Sequence, residues 1–270
     1  MNFLQSTFDW FDNGDHWTGA EGIPHLLWQH IEICVIAVVV AVMIALPIGL
    51  FFGHHRAGGF VAVNVANVGR ALPALALLLF AVRQFGIGDP PQWMQTVGIG
   101  SIPTFLVLVA LAIPPMVTNT YAGVSGIDPE AIDAARGMGM NGGQLLRRVE
   151  MPLASPLIMA GIRTSAVAVV ATATLAAVVG WGGLGRYIYD GSRIHDYERL
   201  FAGALLVALL AIAVELSLAL VQHFVVPRGL RVRDHSDDGT GSGQTRTNPG
   251  IAPGATVPAG PVELEARPNA

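Results

Sequence analysis

The chain has 270 residues, 52% of them hydrophobic and only 13% charged, and its mean hydropathy is +0.54. Because soluble domains carry about 25% charged residues, this composition excludes an ordinary soluble domain and predicts one membrane domain with a tail. The net charge of −4 decides little, since charge in a membrane protein matters loop by loop. We predict no nucleic-acid partner.

Residues 1–25 combine acidic and aromatic side chains and contain no Arg. A secretory signal needs a positively charged start before its apolar core, so this segment is not one. Aromatic residues favour the membrane–water interface, and we predict an extracytoplasmic segment at the membrane surface. A frayed terminus is an equally good interpretation of the same residues.

Five apolar segments follow within a membrane domain of residues 26–230, each near the ~20 residues that an α-helix needs to cross a bilayer. They are residues 31–52, 60–82, 102–121, 153–179 and 200–226. Several contain Pro, which kinks a helix unless neighbouring groups satisfy the freed carbonyls. The sequence therefore predicts an all-α protein with about five packed, kinked transmembrane helices.

The polar stretch 127–152 lies between the third and fourth apolar segments and begins like a helix. Asp128 before Pro129 is typical of a helix N-terminus, because Pro has no N–H to leave unpaired at the first helical position. Gly137 and Gly139 favour the end of that helix.

A second helix start follows at once. Asn141 with Gln144 three residues later resembles a capping box, which predicts a helix over residues 142–150. Pro152 is expected to end it. Two short helices joined by a Gly-rich corner form a compact knob that is suited to a groove on a partner protein.

The first of these helices has small apolar residues at helical spacing on one side and charged residues on the other. The predicted apolar stripe is Ala131, Ala134, Ala135 and Met138, and the charged residues opposite it are Glu130, Asp133 and Arg136.

The distribution of Arg predicts the orientation. One set of loops carries Arg56, Arg136, Arg147, Arg148, Arg228, Arg231 and Arg233, and the other carries Arg83, Arg186, Arg193 and Arg199. Loops rich in Arg stay in the cytoplasm. Seven residues against four predict a cytoplasmic C-terminus and an N-terminus outside. Residues 231–270 are rich in Gly, Pro, Ser and Thr, which predicts a disordered cytoplasmic tail.

The sequence argues against two kinds of nucleotide-binding site. A P-loop needs a Lys that reaches the phosphates, and the chain contains no Lys, so another polypeptide must hydrolyse any ATP that drives its activity. Gly180, Gly182 and Gly185 match G-x-G-x-x-G. They follow an apolar segment, however, and residues 186–189 do not open a clear helix, so we reject a dinucleotide site.

No metal or cofactor is predicted. His54 and His55 lie just past the first apolar segment, where interfacial polar residues are commoner than metal ligands, and no third ligand is evident. H-E-x-x-H and G-x-S-x-G are absent from the sequence, so metalloprotease and α/β-hydrolase interpretations receive no support.

Three charged residues fall within predicted spans, namely Arg70, Arg163 and Glu215. Such groups usually face the bundle interior or water, and we favour structural pairing over contact with a substrate. Arg70 and Glu215 are candidates for a pair, and Arg163 for support of the root of the 127–152 stretch. Asn119, near the end of the third span, is interpreted first as a packing residue and second as a gate.

The spacing in the polar stretch carries a family resemblance. The residues are Asp133-Ala134-Ala135, Gly139, Val149 and Met151-Pro152. This pattern resembles the EAA signature of ABC-importer permeases, with Asp for the usual Glu, Val for Ile and Met for Leu. The wider run, AARGMGM…RVEMPLASPLIMAGIRTS, resembles the permeases that import glycine betaine, carnitine or choline. The resemblance covers about residues 26–226.

The resemblance implies the type I ABC-importer permease (MetI-like) fold. It also implies that the chain is a transport subunit and not an enzyme. It implies a multi-pass protein of the bacterial cell membrane, paired with itself or a sister permease. It also implies cytoplasmic ATPase subunits, which dock on the 127–152 stretch, and an extracytoplasmic binding protein. Permeases for methionine or another amino acid are the runner-up, and an ion channel or an intramembrane enzyme are alternatives outside the family.

Two groups of site residues follow from the resemblance and the charge pattern. The residues expected to couple to the ATPase are Glu130, Asp133, Ala134, Ala135, Gly139, Met151 and Pro152. The candidates for the translocation path or its gates are Arg70, Asn119, Arg163, Glu215, Gly182, Gly183 and Gly185. The three glycines fit an outer turn near the path, and a plain surface turn equally well.

Overall fold

Every regular element that the computed structural model describes is a helix; the described residues are 3–56, 59, 64, 69, 73–86 and 101–226. The long and short α-helices are α1 Phe3–Asp12, α2 Ile23–His54, α3 Ala74–Phe85, α4 Ile102–Ser125, α5 Pro129–Gly137, α6 Gly142–Leu145, α7 Met151–Ala173, α8 Gly185–Ile194 and α9 Tyr197–Val225. Short 3₁₀ helices cover Gly14–Trp17 and Thr174–Val179, and a π-helical turn, Leu146–Glu150, joins α6 to α7. The predicted all-α class is confirmed.

Among the described residues, four helical runs are long and apolar enough to cross a membrane: Ile23–His54, Ile102–Ser125, Gly142–Val179 and Tyr197–Val225. They correspond to the first, third, fourth and fifth predicted spans. The second predicted span, 60–82, lies largely outside the described residues, and α3 covers only its end. Arg70 and the predicted tail, 231–270, also lie outside them.

The first span begins eight residues earlier than the sequence predicts, at Ile23 instead of residue 31. Pro24 in the first turn favours a helix start at this point. Polar residues such as His30 interrupt the apolar run before residue 31, so the sequence does not indicate that the helix includes them. In the structure His30 is fully buried, and its Nε2 donates a hydrogen bond to Val170 O at 3.0 Å. A prediction from apolar residues alone therefore underestimates the length of this helix.

Small residues let α2 and α4 approach each other closely. Every fourth residue of α2 is small and buried along one face: Ala37, Ala41, Ala45, Gly49 and Gly53. A Cβ on Gly49 would lie 2.6 Å from Thr120 Cβ, and one on Gly53 would lie 2.7 Å from Val124 Cβ. Between membrane helices the hydrophobic effect contributes little, and close van der Waals contact along such rows of small residues stabilises the packing.

A similar close contact joins α4 to α7. A Cβ on Gly161 would lie 2.8 Å from Asn119 Cβ. The side chain of Asn119 donates from Nδ2 to Pro115 O at 2.8 Å, and Ser165 Oγ donates to Ala112 O at 2.9 Å. These contacts agree with a packing role for Asn119, whereas its role as a gate stays a prediction.

Near the Ile23 end of α2, both α1 and α8 pack against α9. Trp10 of α1 makes an edge-on contact with Tyr187 of α8, with ring centroids 5.5 Å apart. The phenol of Tyr187 donates to Glu21 O at 2.6 Å. Burial raises the pKa of Tyr187, which keeps the phenol protonated as a donor. The opposite end of α2, at His54, meets the 127–152 stretch.

Candidate functional site

The first helix of the 127–152 hairpin begins as its sequence predicts. Asp128 Oδ1 accepts a hydrogen bond from Glu130 N at 2.9 Å, and Pro129 occupies the first helical position. Glu130 lies in the first turn, where a negative charge interacts favourably with the helix dipole. Both signals in the sequence are therefore used by the fold.

The corner of the hairpin is a Schellman motif. Gly139 adopts the left-handed conformation, with φ +83°. Gly139 N donates to Arg136 O at 2.9 Å, and Met140 N donates to Ala135 O at 3.3 Å. These two bonds satisfy carbonyls that the end of α5 would leave unpaired. The predicted end of the helix at Gly137 and Gly139 is confirmed.

The second helix follows with a complete capping box. Asn141 Oδ1 accepts from Gln144 N at 2.9 Å, and Gln144 Oε1 accepts from Asn141 N at 3.0 Å. Only three residues, Met138 to Met140, separate the last residue of α5 from the first residue of this box. The corner is therefore fixed by consecutive local motifs and has little freedom to bend.

A small hydrophobic cluster lies beneath the hairpin. Ile127, Ile132, Ala135 and Leu145 are buried, and Met140 and Val149 pack against them. The predicted stripe is wrong in part, because Ala134 is exposed and Met138 is 72% exposed. Residues 131, 134, 135 and 138 lie in two neighbouring rows along the helix. The row of Ile132 and Ala135 is the buried one, because it contacts the second arm of the hairpin. Ile132 was missed, although it is the only large aliphatic residue of α5.

The outer face of the hairpin combines charge with exposed apolar surface. Glu130, Asp133 and Arg136 are exposed beside Ala134 and Met138. Asp133 and Arg136 form only a loose ion pair at 3.9 Å, with side chains 76% and 63% exposed. An exposed Met ringed by charges is typical of a surface that binds another protein.

The predicted end of the second helix at Pro152 is wrong. The helix continues through the π-helical turn Leu146–Glu150 into α7, so that Pro152 stands in the first turn of α7. Because Pro152 has no N–H, it removes one backbone hydrogen bond from this continuous helix. The π-helical turn, in which Met151 N donates to Leu146 O, lies directly before this position and accommodates the proline. The second arm of the hairpin is thus continuous with a membrane-spanning helix.

The end of α2 holds both roots of the hairpin. Glu150 Oε2 accepts a hydrogen bond from His54 Nδ1 at 2.6 Å, and the Glu150 side chain is only 6% exposed. Arg56 Nη2 donates to Ile127 O at 3.0 Å. This pair of contacts, which we call the α2 clasp, was not predicted. Its only signal in the sequence is the His-His-Arg run just past the first span.

Arg163 does not support the root of the hairpin, contrary to the sequence-based expectation. Its guanidinium pairs through Nη2 with Glu215 of α9, and Nη1 donates to Gln222 Oε1 at 2.7 Å. Glu215 therefore has Arg163 as a partner. The suggested pair of Arg70 and Glu215 stays a prediction, because Arg70 lies outside the described residues. The charges of α7 and α9 meet because the two helices pack side by side, which no sequence spacing reveals.

A helix opens where none was expected, at the glycine-rich turn near the Ile23 end of α2. Residues 186–189 belong to α8, which begins at Gly185. The rejected dinucleotide motif still lacks its context, because a 3₁₀ helix and not a strand precedes it. Gly183 has φ +81° and donates from its N–H to Gln29 Oε1 at 3.1 Å. A Cβ on Gly185 would lie 2.7 Å from Thr174 Cα, so close backbone contact requires this glycine.

Residues 37–229 match the family described as binding-protein-dependent transport system inner membrane component. The chain belongs to this family. It is 35% identical over 203 residues to the glycine betaine/carnitine/choline transport system permease protein OpuCB of Bacillus subtilis, covering 75% of this chain and 88% of that protein. It is 34% identical over 209 residues to the osmoprotectant import permease protein OsmW of Salmonella typhimurium, covering 77% and 94% of the two chains.

Solved structures agree on the fold of this inner membrane component. An inward-facing structure of the MetNI methionine ABC transporter matches 76% of this chain and 96% of its own, with a TM-score of 0.62 at 19% identity. At that identity the likeness establishes the fold alone. The predicted MetI-like fold and the predicted family are both confirmed. The chain is a multi-pass permease subunit and not an enzyme, and ATP hydrolysis in such importers belongs to separate subunits.

Proposed function

We propose that this permease imports quaternary ammonium osmoprotectants, such as glycine betaine, choline or carnitine, from an extracytoplasmic binding protein. The support is the identity of 34–35%, over three quarters of the chain, to permeases named for these solutes or for osmoprotectants. The methionine alternative draws only on a likeness of fold at 19% identity, and a shared fold does not imply a shared substrate.

The 127–152 hairpin is the proposed docking site for the ATPase subunit. One observation carries this proposal: an exposed, locally braced knob is covalently continuous with α7 and clasped to α2. A push on the knob therefore reaches two spanning helices at once. Glu130, Asp133, Ala134 and Gly139 would meet the partner on the exposed face, whereas buried Ala135 keeps the two arms together. Met151 and Pro152 lie at the joint with α7.

The proposed assembly contains two permease chains, either identical or sister chains, and two ATPase subunits. Rocking of the helix bundles would open the path between the chains alternately to each side. In this arrangement the hairpin and the C-terminus face the cytoplasm, and the N-terminus with the turn at Gly182, Gly183 and Gly185 faces outward.

Uptake in a strain lacking its own osmoprotectant importers tests the substrate. We expect the chain, expressed with its ATPase and binding protein, to restore uptake of radiolabelled betaine, choline or carnitine, more strongly after an osmotic upshift. Restored uptake of methionine alone would contradict the proposal. Co-purification of the ATPase subunit with the permease tests the docking site, and its loss on deletion of residues 129–145 is the expected result.

Cysteine labelling tests the orientation. The native Cys34 is buried and contributes little background. A membrane-impermeant maleimide should modify R147C only after the cells are opened, because the hairpin faces the cytoplasm. The control S192C, on the exposed surface of α8, should react in intact cells. Labelling of R147C in intact cells would overturn the proposed orientation.

A further inference from the structure

A groove of about 600 Å³ runs between α7 and α9. Arg163, Thr164 and Glu215 supply its polar lining, and aliphatic side chains supply the rest. The volume lies in the range of small-molecule sites, which is about 300–1,000 Å³. The groove faces away from α2, since the residues that α7 and α9 turn toward α2, such as Val170 and Val214, do not line it.

The charged pair lies deep in the membrane. Arg163 follows the start of α7 by twelve residues, or ~18 Å at the rise of an α-helix, in a hydrocarbon layer of about 30 Å. The side chains of Arg163 and Glu215 are still 28% and 39% exposed. Charges at this depth are costly toward lipid and usually face water or protein. The groove is therefore expected to open onto the path or the partner permease.

The pair does not use all the hydrogen-bonding capacity of Arg163. Nη2 contacts Glu215 and Nη1 contacts Gln222, while Nε is buried and has no partner among the described residues. A guanidinium binds carboxylates in a two-pronged geometry. The carboxylate of Glu215 offers the complementary negative charge a few ångströms away.

We propose that Arg163 and Glu215 form a zwitterion-binding site in the path, an inference that rests on the proposed function. The solute's carboxylate binds Arg163, and its quaternary ammonium group lies against Glu215. When the zwitterion binds, Arg163 and Glu215 each give up their contact with the other and pair with the opposite charge of the solute. Every charge therefore keeps an opposite charge beside it in a medium of low dielectric constant. No aromatic side chain lines the described groove, so attraction to Glu215 replaces an aromatic cage. Choline, which has no carboxylate, would use Glu215 alone.

Uptake by Arg163→Gln separates this site from a structural ion pair. We expect uptake of betaine and carnitine to fall about ten- to a hundredfold, as for the loss of a hydrogen bond to a charged group. Choline uptake should change less than about twofold. Glu215→Gln should reduce uptake of all three solutes. Ser217→Ala on α9, whose hydroxyl only donates to Ala213 O, is the control and should match the wild type, with immunoblots to equalise the amount of protein in the membrane.

The double variant R163Q/E215Q provides a second measurement. Neutral partners often replace an ion pair without loss of stability, so a purely structural pair would leave uptake of all solutes unchanged. Equal losses of betaine and choline uptake in R163Q, or wild-type uptake in the double variant, would overturn the zwitterion site. So would a wild type that carries choline but no carboxylate-bearing solute. A wild type that carries none of the three would instead overturn the proposed function, and this inference with it.

Discussion

The two ends of the bundle are held together in different ways. Between its two roots, the hairpin is braced by bonds that join residues at most five apart, such as Asn141 to Gln144 and Met140 to Ala135. At the glycine-rich turn, Gln29 contacts Gly183 across 154 residues of sequence, and Tyr187 contacts Glu21 across 166. The hairpin can therefore keep its shape while it moves with its roots, whereas the turn is fixed to the rest of the bundle.

This contrast predicts that a close backbone contact at the turn is the most damaging place to add a side chain. Gly185→Val should destabilise the folded chain by about 4 kcal/mol or more, since its Cβ would overlap the backbone of Thr174. Thermal unfolding of the purified transporter measures the loss. Gly143→Ala in the hairpin is the control, because its Cβ would meet only Asn141 Oδ1 at 3.7 Å. Equal unfolding temperatures would contradict the comparison.

The α2 clasp supplies two long-range bonds to the hairpin, and loss of its His54–Glu150 bond should rank second. His54→Ala leaves Glu150 buried without its partner, which costs about 3 kcal/mol for a buried charge. Hydrogen exchange should increase around Glu150, and uptake should fall relative to ATP hydrolysis. The double variant H54A/E150A should recover part of the stability. A double variant less stable than H54A would show that the two side chains do not act as a pair.

Substitutions at the corner of the hairpin should impair transport more than they reduce the stability of the folded chain. Gly139→Val forces a branched side chain into the left-handed region, at a cost of about 1–2 kcal/mol. The space around it is open, so membrane insertion should survive while uptake is uncoupled from ATP hydrolysis. Gly139→Asn, which adopts this conformation more readily, should keep most of the uptake. Normal uptake in G139V would refute the coupling role of the corner.

The smallest effect on stability is expected at the exposed face. Asp133→Asn removes a loose surface ion pair, and the free energy of unfolding should change by less than about 0.5 kcal/mol. Co-purification of the ATPase subunit should nevertheless decrease. Ser192→Ala, an exposed change on α8, serves as the comparison. Retention of the ATPase by D133N at the level of S192A would remove Asp133 from the docking surface.

The sequence predicted the hairpin well because its signals are local. The cap at Asp128, the corner at Gly139 and the box at Asn141 each involve neighbours along the chain, and such bonds form in much the same way in any surroundings. Five spans were predicted from the length of their apolar runs alone, and four of them are found among the described residues. Their ends were less certain, as Ile23 and Pro152 show, because capping and burial compete with apolarity there.

The sequence by itself determined the family, the helical class and the shape of the hairpin, since these depend on composition, spacing and bonds between near neighbours. Only the tertiary structure decided that Arg163 meets Glu215, that His54 holds Glu150 and that a helix begins at Gly185. The helix start at Gly185 goes with a close contact to the backbone of Thr174. The two side-chain pairs depend on which faces of two distant helices turn toward each other. That choice is set by close packing of small residues, such as Gly49 against Thr120, and no spacing within one helix contains it.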